Sequence, residues 1–123
     1  MSLFLECCDA LIEDVEIITN SDLVLDILNK YPMKLNAIDW TKIVYKDYED
    51  MSLLFEDFKT YIDDKVFIMA DDKCVPVLKS NLGLVIYNIY DIMALSPKLF
   101  IFNKNIVLYP LFPTYVVRVG TLF

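Results

Sequence analysis

At residue 64 the spacing of large apolar side chains changes period. In EDMSLLFEDFKTYI (49–62), Met51, Leu54, Phe55, Phe58 and Ile62 recur at intervals of three and four, which is one face of an α-helix. Beyond it, VFIMA (66–70), CVPVLK (74–79), KLFIF (98–102), IVLYP (106–110) and TYVVRV (114–119) are short runs rich in Val, Ile and Phe. Turn-forming Asp71–Asp72–Lys73 and Asn103–Lys104–Asn105 make the first four into two hairpins, and 114–119 is a last strand. Pro76 puts the second run at a sheet edge or on a bulge, because proline lacks the N–H a ladder needs.

The front of the chain is helical by the same test. Residues 3–18 place Phe4, Cys8, Leu11, Ile12, Val15 and Ile18 on one face, with Glu6, Asp9, Glu13 and Glu16 off it. Asn20–Ser21–Asp22 caps a second helix over 23–31, which Pro32 ends. Residues 37–46 fit a strand or a loop, with Trp40, Ile43 and Tyr45 inward. Ser80–Asn81 caps a fourth helix over 82–95, with Leu82, Val85, Ile86, Ile89 and Met93 inward, closed by Ser96–Pro97. The sequence therefore predicts an α+β fold: N-terminal helices, then an antiparallel sheet of about five strands with one inserted helix. With 123 residues and 57% hydrophobic composition, a single domain over 1–123 can bury a core of its own.

Charge is distributed unevenly. Residues 1–72 hold 17 of the 18 acids and six of the 11 bases, a net of −11, whereas 73–123 carry a net of +4. The whole chain is at −7, which disfavours direct contact with phosphate backbones or anionic membranes. No secretory signal is evident in MSLFLECCDALIED, and the apolar run 82–95 is too short to span a bilayer. Three cysteines, two of them adjacent, fit free thiols in a reducing cytoplasm, with Cys7–Cys74 and Cys8–Cys74 pairings left open.

Histidine is absent, which removes Ser-His-Asp and Cys-His nucleophiles and His-ligated metals. Two isolated glycines build no phosphate loop, and one arginine leaves little to clamp a phosphate. What remains is an acidic face. On the 49–62 helix and its flanks, Asp47, Glu49, Asp50, Glu56, Asp57, Asp63 and Asp64 are met by only Lys46 and Lys59. Leu53 lands in the middle of that face, beside Tyr48 and Tyr45. Asp71 and Asp72 continue the acidic series. A solvated helix normally interleaves both signs. Like charge with apolar anchors suits a surface that meets a basic protein.

The stretch VFIMADDKCVPVLKSNLGLVIYNIYDIMALSPKLFIFNKNIVLYPLFPTYVVRVGTLF resembles the immunity proteins of bacterial contact-dependent growth inhibition. In these, a strand ending in acids, a V-P-V-type strand, a helix, a hairpin and a last strand near a glycine recur, here at 66–72, 75–77, 81–95, 98–110 and 114–120. Where similar proteins carry an acid in the last hairpin, this chain has Tyr109. The resemblance implies a cytoplasmic, non-enzymatic antidote that binds the toxin domain of a delivered effector, often a nuclease acting on tRNA or DNA. No cofactor, no membrane and no nucleic-acid contact is expected, and a monomer in the complex, with a homodimer open. Two other classes compete. One is a carboxylate-based or Mg²⁺-dependent enzyme using Asp71, Asp72 and Asp91. The other is a structural or chaperone-like subunit working through an apolar C-terminus with exposed Leu122 and Phe123.

Overall fold

A computed structural model describes residues 2–35, 37–72 and 74–122; Lys73 of the first expected turn and Phe123 of the C-terminal expectation lie outside them. The chain runs α1 (Leu3–Ala10), β1 (Glu16–Ile18), α2 (Asp22–Leu28), β2 (Met33–Lys34), β3 (Ala37–Ile38), a 3₁₀ turn (Trp40–Lys42), β4 (Val44–Tyr48), α3 (Met51–Asp57), a second 3₁₀ turn (Lys59–Tyr61), β5 (Lys65–Ala70), β6 (Val77–Asn81), α4 (Leu82–Tyr87), α5 (Ile89–Met93), β7 (Leu99–Phe102), β8 (Ile106–Pro110) and β9 (Val117–Thr121). Seven strands form one antiparallel sheet in the order β1-β6-β5-β7-β8-β9-β4, and β2 and β3 form a separate small ladder. The α+β class and its antiparallel sheet are as expected.

The sheet exceeds the expected five strands because both edges come from the front of the chain. The helical stripe assigned to 3–18 ends at Ala10, and a turn follows in which the Asp14 N–H donates to the Leu11 carbonyl. Glu16, Ile17 and Ile18 then pair with Lys79, Leu78 and Val77. Val15, Ile17 and Ile18 are β-branched and suit either period, so the open edge of β6 decides. Asp14 secures the join: Lys65 and Asn81 donate to its carboxylate, and the Ser80 hydroxyl donates to its carbonyl. Ile12, expected inward, is exposed, and Cys7 rather than Cys8 is the buried thiol. All three cysteines are free.

At the other edge, residues 44–48 of the ambiguous segment pair in register with 117–121 of β9. Tyr45 stays half-exposed there instead of buried. Pro76 marks neither an edge nor a bulge: it precedes Val77, where β6 begins, and β6 lies between β1 and β5. The single helix expected over 49–62 stops at Asp57, and a 3₁₀ turn completes it. The 82–95 helix divides at Asn88, whose side-chain amide donates back to the Leu84 carbonyl.

Strand alternation sends side chains to two cores. One face carries Val66, Ile68, Leu78, Leu99, Ile101, Leu108, Val117 and Val119 under the α1, α3, α4 and α5 helices. The other carries Phe100, Phe102 and Val107 under α2, Tyr31 and the β2–β3 ladder. The Tyr31 hydroxyl, pushed up by burial, donates to the Asn103 carbonyl and closes that second layer.

Candidate functional site

β4 leaves the sheet edge at Tyr48 and turns through Glu49 and Asp50 into α3. Asp50 makes the turn abrupt, because its carboxylate accepts the Ser52 N–H at 2.8 Å and caps the helix. Tyr48 is buried, and its hydroxyl donates to Asp57 Oδ2 at 2.6 Å. Lys46 reaches the same oxygen at 3.4 Å and lies 5.0 Å over the Tyr48 ring. The Tyr48 hydrogen bond, then Lys46, hold the Asp57 carboxyl below the usual carboxylate range. Asp57 and Tyr48 thus brace α3 against β4. Glu56 pairs with Lys59 at 3.0 Å, one side of α3 away.

Asp47 points the other way. Cross-strand partners share a face, and Asp47 pairs with Arg118 on the face opposite α3. Arg118 donates to both carboxylate oxygens, at 2.8 and 3.1 Å, and this holds the Asp47 carboxyl low. The guanidinium stacks 4.3 Å over Tyr45 and 5.5 Å from Trp40. Gly120 gives Trp40 and Ile43 room to lie on the sheet, since a Cβ there would meet them at 2.8 and 2.6 Å.

The remaining acids do not join one patch. Asp63 and Asp64 precede β5, where the Asp64 carbonyl accepts the Leu82 N–H, and Asp71 and Asp72 follow β5. Seven steps of extended chain separate Asp64 from Asp71, about 23 Å at the usual rise. Asp71 pairs with Lys98 at 3.7 Å, and Asp72 caps the Cys74 N–H at 2.9 Å. Among the described residues no cluster of three Asp, Glu or Cys side chains could hold a metal ion. No helix of the described residues is long and apolar enough to cross a membrane.

The structure gathers Glu49, Asp50 and Leu53 with side chains from α4, α5 and the 111–116 loop. Glu49 and Asp50 form a ridge between two open depressions. One, of about 630 Å³, is lined by Met51, Ser52, Phe55, Ile86, Tyr87, Ile89 and Tyr90 as well as the two acids. The other is lined by Tyr48, Leu53, Leu111, Thr114 and Val116 among others. Tyr90 packs edge-on against Tyr115 at 5.3 Å, which ties the 111–116 loop to α5. Phe55, expected in the core stripe, is instead 38% exposed beside this ridge, and Leu53 is 57% exposed as expected. Tyr87 at 84%, Tyr90 at 55% and, against Tyr90, Tyr115 at 69% complete an exposed aromatic corner. Tyr87 and Tyr90 lie three residues apart and off the Val85–Ile86–Ile89 stripe. That spacing was a readable sign of rings turned to solvent.

Such a corner can dock protein. Aromatic rings supply apolar area at low entropic cost, and the carboxylates supply charge without a nucleophile or a bound metal. A family model described as CdiI immunity protein, EcoliA0-like, matches residues 1–120. No curated protein matches the chain.

Proposed function

Because the chain belongs to the CdiI immunity protein family, EcoliA0-like, we propose that it neutralises its toxin by laying the Glu49–Asp50 corner against a basic surface of a nuclease toxin domain. Membership makes it an antitoxin against a contact-dependent growth inhibition toxin; the nuclease identity and the docking surface are the proposal. A nuclease must hold phosphates and so presents clustered cations. Carboxylates on a rigid helix start can occupy such a cleft without offering a scissile bond, and their long-range field speeds capture. The antidote needs no cofactor and no reaction of its own. It acts as a monomer in the toxin's compartment, the cytoplasm.

The observation that carries this reading is the coincidence of uncompensated charge with exposed rings. Glu49 and Asp50 have no lysine or arginine partner within ion-pair distance among the described residues, and they share their two depressions with four exposed large apolar side chains, Leu53, Phe55, Tyr87 and Tyr90. Asp47 and Asp57, by contrast, are spent on internal braces. Asp63 and Asp64 remain solvent-facing on the same half of the chain and add to the field, whereas solvent-facing Glu56 is offset by Lys59.

The test is a quadruple reversal, Glu49→Lys, Glu56→Lys, Asp63→Lys and Asp64→Lys, all at exposed positions. Affinity for the cognate toxin domain should fall roughly a hundredfold or more, and cells should lose protection. Undiminished affinity with retained fold would remove the acidic surface from the account.

A further inference from the structure

We infer that the depression between α3 and the α4–α5 pair receives one lysine or arginine side chain of the toxin, seated over the Tyr87 and Tyr90 rings with Glu49 and Asp50 as counter-charge. This rests on the proposed docking function and names the chemistry of its central contact.

The molecule fills the same three-part arrangement twice with its own side chains. Arg118 lies 4.3 Å over the Tyr45 ring and is paired with Asp47. Lys46 lies 5.0 Å over the Tyr48 ring and is paired with Asp57. Each joins a cation, a tyrosine face and a carboxylate. At the depression between α3 and the α4–α5 pair the rings and the carboxylates are present, and the cation is not supplied: no basic residue lines the cavity. No lysine or arginine of the described residues stacks on Tyr87 or Tyr90.

Both features select the same occupant. A tyrosine face is electronegative and attracts a cation, more strongly as water is excluded. Two carboxylates on one ridge repel each other, and a bound cation relieves that. An apolar side chain would leave the carboxylates desolvated without a partner, at a cost. Buried Ile86 and Ile89 form the floor and Phe55 a side of the depression, against which the methylene stem of a lysine or arginine can lie while its charged end meets the ridge. Tyr115, edge-on to Tyr90, extends the apolar rim toward whatever flanks that side chain.

The experiment measures binding of purified wild-type and variant protein to the immobilised cognate toxin domain. Tyr87→Ala/Tyr90→Ala truncates the rings at exposed positions. It should raise Kd by about thirtyfold or more, mainly through dissociation, whereas Tyr87→Phe/Tyr90→Phe should stay within about threefold. Glu49→Gln/Asp50→Asn removes both charges while the amide oxygen at 50 still caps Ser52. It should raise Kd by about tenfold and flatten the salt dependence. Thermal melts of each variant confirm the fold. Ring truncation that leaves Kd within about threefold would overturn the inference while leaving the docking reading intact. Loss on ring truncation with none on charge removal would overturn the cationic occupant in favour of an apolar one. A wild-type dimer on a sizing column that Tyr87→Ala/Tyr90→Ala dissociates would assign the corner to a second copy instead. Failure of the wild type to bind at all would sink the parent proposal and the contact with it.

Discussion

Gly120 offers a test of the fold in which the sign of the effect decides. It sits on β9 between β8 and β4, and its φ is not positive, so the backbone itself accepts any residue. In open space Gly120→Ala would therefore stabilise the protein by about 0.5–1 kcal/mol, by restricting the unfolded chain. The space is not open. The new methyl group would meet Ile43 Cδ1 at 2.6 Å, Trp40 Cζ3 at 2.8 Å and Val107 Cγ1 at 3.3 Å. The isoleucine terminus can swing aside. The indole is a rigid plate held edge-on to Tyr45 at 5.5 Å and stacked by Arg118, so it must move as a body. Overpacking of this kind costs about 1–3 kcal/mol, leaving a net loss of about 1.25 kcal/mol. Unfolding entropy of about 2.1 cal/mol/K per residue gives about 0.26 kcal/mol/K for this chain, so Tm should fall by about 5 °C. Trp40 is the only tryptophan, so its emission reports the displacement directly. We expect a red shift in the folded variant and a lower Tm by circular dichroism. An unchanged emission maximum with a raised Tm would refute the packing of Trp40 over Gly120.

Other outcomes follow from the same reasoning. Ser80→Ala removes the buried hydroxyl that donates to the Asp14 carbonyl at 2.6 Å; urea titration should show a loss of about 1 kcal/mol. Leu35 is 91% exposed at φ 54, a left-handed conformation leucine disfavours, so Leu35→Asn should raise Tm by a few degrees in a thermal melt, about 0.5–1 kcal/mol. Cys7 is buried and its thiol is pushed up to about 12, first by burial, so iodoacetamide at pH 8 should label exposed Cys74 well before Cys7 by mass spectrometry. Asp14, Asp47 and Asp57 are held low by their hydrogen-bonded partners, Lys65, Arg118 and Tyr48 foremost. Their folded pKa values lie below the unfolded ones, so their contribution is complete above the ordinary carboxylate range and is lost as pH falls through the depressed values. Asp14→Asn should therefore show a shallower loss of Tm on acidification below about pH 4 than the wild type.

Much of the fold was legible because period and turn chemistry agree locally. The β5–β6 and β7–β8 pairings and the Asn81 cap follow from alternation and from Asn–Lys–Asn and Asp–Asp turns. Both sheet edges were harder, for a physical reason. Glu16–Ile18 and Val44–Tyr48 are short and fit more than one period, and only long-range partners, β6 and β9, settle them. The acidic series was legible as composition but not as geometry. Alternation on β4 sends Asp47 to the far face, and the length of β5 separates Asp64 from Asp71. Helical phase put Phe55 in the core, yet α3 ends at Asp57, and its shortened stripe buries Leu54 fully while leaving Phe55 at the rim. The spacing of Tyr87 and Tyr90 is readable locally, but the return of the 111–116 loop that sets Tyr115 against Tyr90 is not.

Stopped-flow association of the wild-type protein with its cognate toxin domain, followed across ionic strength, bears most directly on the claim that negative charge steers this protein to its target. Between about 50 and 500 mM NaCl the association rate should fall by about a hundredfold while dissociation changes little, as expected for capture through opposite fields. An association rate indifferent to salt over that range would contradict the claim.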